Sequence, residues 1–275
     1  MRSGRVMLLA CVVLASSVAR AERFDWRDVN GLDFTTPVRD QGDAGTCWAF
    51  AALGAMEAKL EITRNAPDLN PDLSEQFLAW FGQAGTMQSG IAYLALKSLH
   101  MMGTMTEEEF PYTGEEPTAA DLWNPEPGWE DHMFRISSYQ LYLTADTDYL
   151  KFCLETYGPL VASMNTDDWY TPVGSAAPDY PVSGSTHVVT VIGYQDDDLV
   201  PGGGYWIVKN SWGSDWGDAG YGYVRYGVLE SHNRVHAITG SVYQVPEPAT
   251  MAVLVTCSLG LVRRRSRPGR LAKTV

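Results

Sequence analysis

The hydrophobic pattern of this chain changes period once, near its middle, and that change limits the fold more than any other feature. From Thr46 the order Cys47-Trp-Ala-Phe-Ala-Ala-Leu-Gly-Ala-Met-Glu-Ala-Lys-Leu-Glu-Ile is rich in helix formers. Phe50, Leu53, Met56 or Glu57, and Leu60 fall three or four apart, and Asn65-Ala66-Pro67 stops the pattern. Ser74 opens a second helical stretch as a capping residue, and residues 90–99 read as a buried helix. A further helix places Leu150, Cys153, Leu154 and Tyr157 on one face. The pattern then turns to short runs rich in Val and bounded by glycine or proline: 159–164, 187–194, 204–210 and 220–226. Helices first and strands second predict an α+β architecture of two lobes with a cleft between them.

The two ends read as addresses rather than as parts of that fold. Residues 1–21 combine Arg2 and Arg5, an apolar run and Ala19-Arg20-Ala21, the layout of a signal peptide cleaved near Ala21. A membrane anchor is the alternative, for which the run is short. At the other end Pro246-Glu247-Pro248 precedes an apolar run and then Arg263, Arg264, Arg265, Arg267, Arg270 and Lys273, a stop-transfer pattern. The body, 22–245, divides roughly into a helical lobe at 22–130 and a strand lobe at 131–245. It carries 32 acidic and 11 basic residues, a net charge of −21. Such a surface repels nucleic acid and suits an exported protein.

The body holds only Cys47 and Cys153. Cys153 reads as a small buried thiol, which leaves Cys47 free in an oxidising compartment and suggests reactivity. Thiol chemistry needs a thiolate, and the positive end of a helix or an adjacent imidazolium lowers the thiol pKa. Cys47 falls in the first turn of a strong helix behind Gly42, Gly45 and Thr46. Backbone N–H groups at such a place stabilise an oxyanion. His187 begins a strand in the other lobe, in position to take the thiol proton and later protonate a leaving amine. Asn210 closes a later strand, where its amide oxygen would orient the imidazole without adding charge. His100, His132, His232 and His236 show no metal-ligand spacing, and Asp196-Asp197-Asp198 reads as a solvated loop, so neither metal nor cofactor is expected. For His236 the lining of a substrate pocket is the alternative reading.

The wording of several blocks adds a resemblance. Phe24-Asp-Trp-Arg27, Pro37-Val-Arg-Asp-Gln-Gly42, Gly45-Thr-Cys-Trp-Ala-Phe50, Leu73-Ser-Glu-Gln76, Phe110-Pro-Tyr112, Gly158-Pro159, 187–194 and Tyr205-Trp-Ile-Val-Lys-Asn-Ser-Trp-Gly213 follow in order, with Trp216-Gly217 and Gly220-Tyr221-Gly222. Together they resemble the papain family of cysteine peptidases across nearly all of the body. The resemblance implies a helical N-terminal lobe, a C-terminal lobe like an antiparallel β-barrel, and an active site in the cleft. It implies Cys47 as nucleophile, His187 as its proton partner and Asn210 as the orienting amide. Gln41 would join the Cys47 N–H in the oxyanion hole, Trp212 would shield the His–Asn bond, and Trp48 would support the site. Ser89 and Gly90 would hold extended substrate by strand-like hydrogen bonds, although a helix start would look similar there. The tail resembles the PEP-CTERM sorting signal, which implies an exosortase-type processing partner and a membrane attachment through the tail.

Two departures stand out. A disulfide usual in the family is replaced by Ala44 and Met87, so the fold is expected to rely on its core. Glu22 follows Ala21 at once, so no inhibitory pro-segment is expected and restraint must come from elsewhere. The resulting expectation is an exported thiol endopeptidase acting on peptide or protein substrates through a thioester. An idle binding or surface-assembly module and a peptide ligase or transamidase using the same thioester are its rivals.

Overall fold

Helix α1, Cys47–Arg64, is buried on almost every side, so the lobes assemble around it. Its Ala-rich sequence explains how: small side chains at 49, 51, 52, 55 and 58 let neighbouring elements approach on all faces. Asn65 ends it in the left-handed conformation, with its own N–H and that of Ala66 closing on Ile62 and Glu61 carbonyls. The computed structural model describes residues 22–118, 128–142, 146–172, 184–232 and 234–245. The expected signal peptide and sorting tail lie outside these residues, as does the side chain of His232.

Two short helices pack against α1. Helix α2, Glu75–Phe81, starts where the Ser74 side chain accepts the Phe77 N–H. Helix α3 runs Ala92–Met101 and begins two residues later than its sequence pattern suggests. Gly90 is held instead in an antiparallel bridge with Gly85. Leu53, Met56, Leu60, Leu78, Leu96 and Leu99 form the core of this lobe.

The strands are β1 (Arg23–Asp25), β2 (Phe134–Ile136), β3 (Gln140–Tyr142), β4 (Leu160–Asn165), β5 (Trp169–Tyr170), β6 (Thr186–Asp196), β7 (Gly204–Lys209), β8 (Tyr221–Arg225), β9 (Val235–Ala237) and β10 (Val242–Gln244). Helix α4 (Thr147–Tyr157) buries Leu150, Cys153 and Leu154 against the sheet, and α5 (Val228–His232) follows β8. The main sheet is antiparallel in the order β3-β9-β4-β6-β7-β8-β5, with β1 also on β6. A separate pair joins β10 to β2. Thus the Arg23–Asp25 segment enters the strand lobe, while Ile136, Ile238 and Val242 pack into the helical core. Trp206, Tyr194, Met164 and Val224 fill the second core.

Between the lobes α1 lies on β6, and the Thr190 hydroxyl donates to the Ala51 carbonyl at 3.0 Å. Deeper in the seam Lys209 donates to the Thr36 hydroxyl (2.8 Å), which donates to Glu57 (2.6 Å). Burial pushes the Glu57 carboxyl up and the Lys209 ammonium down, and the attraction between them opposes both shifts. This buried polar seam fixes how the lobes meet, and the cleft edges follow from it.

Candidate active site

The cleft is a cavity of about 500 Å³ whose walls come from both lobes. Gln41, Cys47, Trp48, Ser89 and Gly90 line one side, and Thr166, His187, Val188 and Trp212 line the other. Seven of the eight residues singled out from the sequence therefore share one cavity. Asn210 stands behind His187.

Cys47 is the first residue of α1, and Thr46 before it does not cap the helix with its side chain. The reason is that the Thr46 hydroxyl is engaged with the Tyr112 hydroxyl at 2.7 Å, which itself donates to the Gln41 carbonyl at 2.9 Å. No acidic residue occupies the first turn. The helix thus presents open N–H groups, the positive end of its dipole, at the sulfur. Burial pushes the Cys47 thiol above its usual value, while N–H groups of Val188, Trp48 and Cys47 itself pull the other way.

His187 is the second residue of β6 and is almost fully buried. One ring nitrogen, Nε2, lies 2.7 Å from Asn210 Oδ1. The Trp212 ring stacks over the imidazole at 4.5 Å and 30°. Trp169 and Trp216 surround Trp212, with ring centroids 6.1 and 5.1 Å away. Enclosed in this way, the imidazole falls to about pKa 4, and the Asn210 bond offsets part of the fall. Among the described residues no hydrogen bond joins Cys47 to His187. Burial opposes the charged form of each group, while backbone N–H groups at the sulfur and the Asn210 bond at the ring favour it.

Gln41 is fixed from two directions. Its Oε1 accepts from the Ser211 hydroxyl (2.6 Å), and its Nε2 donates to the Ala44 carbonyl (2.6 Å). The second N–H of Nε2 stays available on a side chain that lines the cavity. Its backbone N–H donates to the Ser211 carbonyl, so the loop carrying Cys47 is tied to the segment carrying Asn210 and Trp212.

On the same wall as Gln41 the Gly85–Gly90 bridge is closed by Thr86 N–H to Ser89 C=O and Ile91 N–H to Ala84 C=O. The amide and carbonyl of Gly90 are in no hydrogen bond among the described residues, and they form an open strand edge on the cavity. A Cβ on Gly90 would sit 2.2 Å from the Trp48 ring, which explains both the glycine and the burial of Trp48. At the expected bridge position Met87 is fully buried, and Ala44 packs against the same core. The Gly45 N–H donates to the Met87 carbonyl at 2.6 Å, so apolar contact and one backbone bond join these segments. Neither Cys47 nor Cys153 is in a disulfide.

Sequence reasoning gave no role to Ser211, Tyr112 or Trp169. Ser211 and Tyr112 were visible only as letters of larger blocks. Trp169 carried no signal at all, since its 6.2 Å approach to His187 depends on the β5–β8 pairing. Asp196 also departs from the expected solvated loop: it accepts from Lys151 (2.6 Å) and from the Tyr226 hydroxyl (2.7 Å).

Comparison with known proteins points to one family and one fold. Residues 20–242 match the model of the papain family cysteine proteases. A viral cathepsin of Heliothis zea nuclear polyhedrosis virus is 33% identical over 216 residues, covering 78% of this chain and 55% of that protein. A cysteine protease of Blomia tropicalis is 31% identical, with 75% and 61% covered. The chain thus spans little more than half the length of these relatives. Digestive procathepsin L 3 of Tenebrio molitor superposes with a TM-score of 0.62 at 28% identity, covering 82% of this chain and 71% of that one. The bromelain protease of Ananas comosus, solved with the E64 inhibitor, gives 0.59 at 25% identity, covering 80% and 99%. With more than three quarters of its length matched and the fold shared, the chain belongs to the papain family of cysteine proteases.

Proposed function

We propose that this protein is a thiol endopeptidase that cuts peptide bonds through a thioester acyl-enzyme. The reading rests above all on one arrangement: Cys47 at an uncapped helix N-terminus shares a cleft with His187, whose far nitrogen is held by Asn210. Cys47 Sγ attacks the scissile carbonyl carbon while its proton passes to His187. The carbonyl oxygen becomes an oxyanion, held by the Cys47 N–H and the free N–H of Gln41. As the C–N bond breaks, His187 gives the proton to the leaving amine. Water then adds to the thioester, losing a proton to His187, and the proton returns to sulfur as the C–S bond breaks. Thiolate and imidazolium form together, each charge offsetting the desolvation of the other. Ser89 and Gly90 hold the substrate backbone in strand-like register, Trp212 keeps water from the His187–Asn210 bond, and Trp48 backs the Gly90 wall.

The protein acts after export, and the 246–275 tail attaches it to the envelope at least transiently, with an exosortase-type enzyme as processing partner. Among the described residues no helix is long and apolar enough to cross a membrane, so this part rests on the sequence of the tail alone.

The test is labelling of residues 22–245 with a neutral peptidyl epoxide. Rapid stoichiometric modification of Cys47, lost in His187→Ala, is the expected outcome. Modification no faster than that of an ordinary thiol would overturn the enzyme reading in favour of a binding module. Proteinase assays on cell fractions, with and without residues 246–275, test the tail.

A further inference from the structure

We infer that Asp43 selects substrates with a basic residue immediately before the cut, an inference that rests on the peptidase reading above. Among the described residues lining the cleft, Asp43 is the one carboxylate, and no lysine or arginine stands with it. It is exposed, and among the described residues it has no hydrogen bond and no ion pair. Its backbone, in contrast, is firmly held. On one side Gln41 is bound through its N–H to Ser211 and through its amide to Ala44. On the other, the Gly45 N–H is bound to Met87, and Gly45 lies so close to Gln88 that a Cβ there would overlap the Gln88 carbonyl at 1.9 Å. The carboxylate is therefore displayed from a fixed loop four residues before the thiol. The nearest basic residue in the sequence, Arg39, is paired with Asp72 at 3.0 Å and does not neutralise it.

The position of the carboxylate defines which substrate side chain it meets. A carbonyl held by Gln41 and the Cys47 N–H, with the preceding backbone along Ser89 and Gly90, would carry its side chain toward the loop of Asp43, Ala44, Gly45 and Gln88, which lines the cavity beside these residues. An arginine or lysine there meets an unpaired carboxylate, whereas a glutamate meets like charge. Because Asp43 remains partly in water, the effect is that of an exposed pair, roughly 1.5- to 5-fold in kcat/KM for arginine over an isosteric neutral residue. Solution salt weakens it.

The experiment compares peptides that differ only at the residue before the cut: arginine, norleucine or glutamate. Working sites are first counted with the neutral epoxide. In the parent protein kcat/KM should fall in that order, mainly through KM, and the arginine-to-norleucine ratio should shrink at 0.5 M salt. In Asp43→Asn the ratio should approach one, and in Asp43→Lys glutamate should become preferred over arginine. Turnover with ratios that do not move in either variant overturns the role of Asp43 and leaves the peptidase reading intact. Absence of both turnover and His187-dependent labelling overturns the peptidase reading itself.

Discussion

Removing the Asn210 amide tests the least visible part of the site. In the structure Asn210 Oδ1 lies 2.7 Å from His187 Nε2, both residues are buried (4% and 3% exposed), and the Trp212 ring closes over the imidazole. Alanine at 210 leaves the imidazole N–H facing a dry space with no acceptor. For the neutral ring this costs about 1–3 kcal/mol of stability. The cost during turnover is separate, since the ring must then become imidazolium. A hydrogen bond to a charged group is worth about 1.5–3 kcal/mol, which corresponds to a loss of roughly 10- to 150-fold in kcat. The Asn210 bond is also what holds the imidazole pKa up against burial, so its loss lowers that pKa further. The assay is kcat and KM on a fluorogenic peptide from pH 4 to 9, with thermal melts of the same samples. Asn210→Ala should lose kcat with little change in KM, and Asn210→Asp should shift the imidazole titration upward by placing a negative charge on the ring. A destabilised protein with the parent kcat would show that the amide serves packing only and refute the assigned role.

Two further outcomes follow from close packing and buried charge. Gly90→Ala forces a methyl to 2.2 Å from the Trp48 ring; overpacking of this kind costs about 1–3 kcal/mol, so the melting temperature should fall and KM should rise as the wall shifts, and an unchanged KM would contradict the substrate-edge role of Gly90. Between pH 6.5 and 8 the melting temperature should fall as pH rises. Burial holds Glu61 up to about pKa 7 and Glu75 well above its usual value, so the folded state keeps protons there that the unfolded chain has released. Below pH 6.5 the trend is opposed, because buried His187 and His236, both near pKa 4, lose stability as the unfolded histidines take up protons. A melting temperature that is flat or rising from pH 6.5 to 8 would refute this account.

Local chemistry was the most legible part of the sequence. The stop at Asn65-Ala66-Pro67 is the observed left-handed cap of α1, and Ser74 is the observed N-cap of α2. The helix around Cys153 and the strand beginning near His187 also stand where the residue pattern put them. What could not be read is pairing across long stretches of chain. Nothing near Arg23 indicates that β1 joins β6, and nothing near Val242 indicates that β10 returns to β2. The start of α3 was read two residues early because Gly90 is reserved for the Trp48 face, a contact with a residue 42 positions away.

The same limit explains what was and was not foreseen at the site. Cys47, His187, Asn210 and Gln41 stand in blocks whose wording carries their chemistry, and the fold brings them to one cleft. Their environment is a property of assembly. Glu57 and Glu61 read as good helix formers, yet α1 is enclosed on all sides and both are buried. Glu57 is tolerated because Thr36, Lys209 and the Leu73 N–H surround it. Among the described residues Glu61 receives only the Asn70 N–H, and its other oxygen has no partner, as suits a carboxyl that burial holds up to about pKa 7. The enclosure that seals His187 beneath Trp212 likewise opposes charge on both thiol and imidazole. A helix end left open by the engagement of Thr46 with Tyr112 and a single amide behind the ring are the local features that favour charge. Because these supports are few, the proton transfer from Cys47 to His187 is sensitive to each one separately, and that sensitivity is why the loss of Asn210 should appear in kcat rather than in KM.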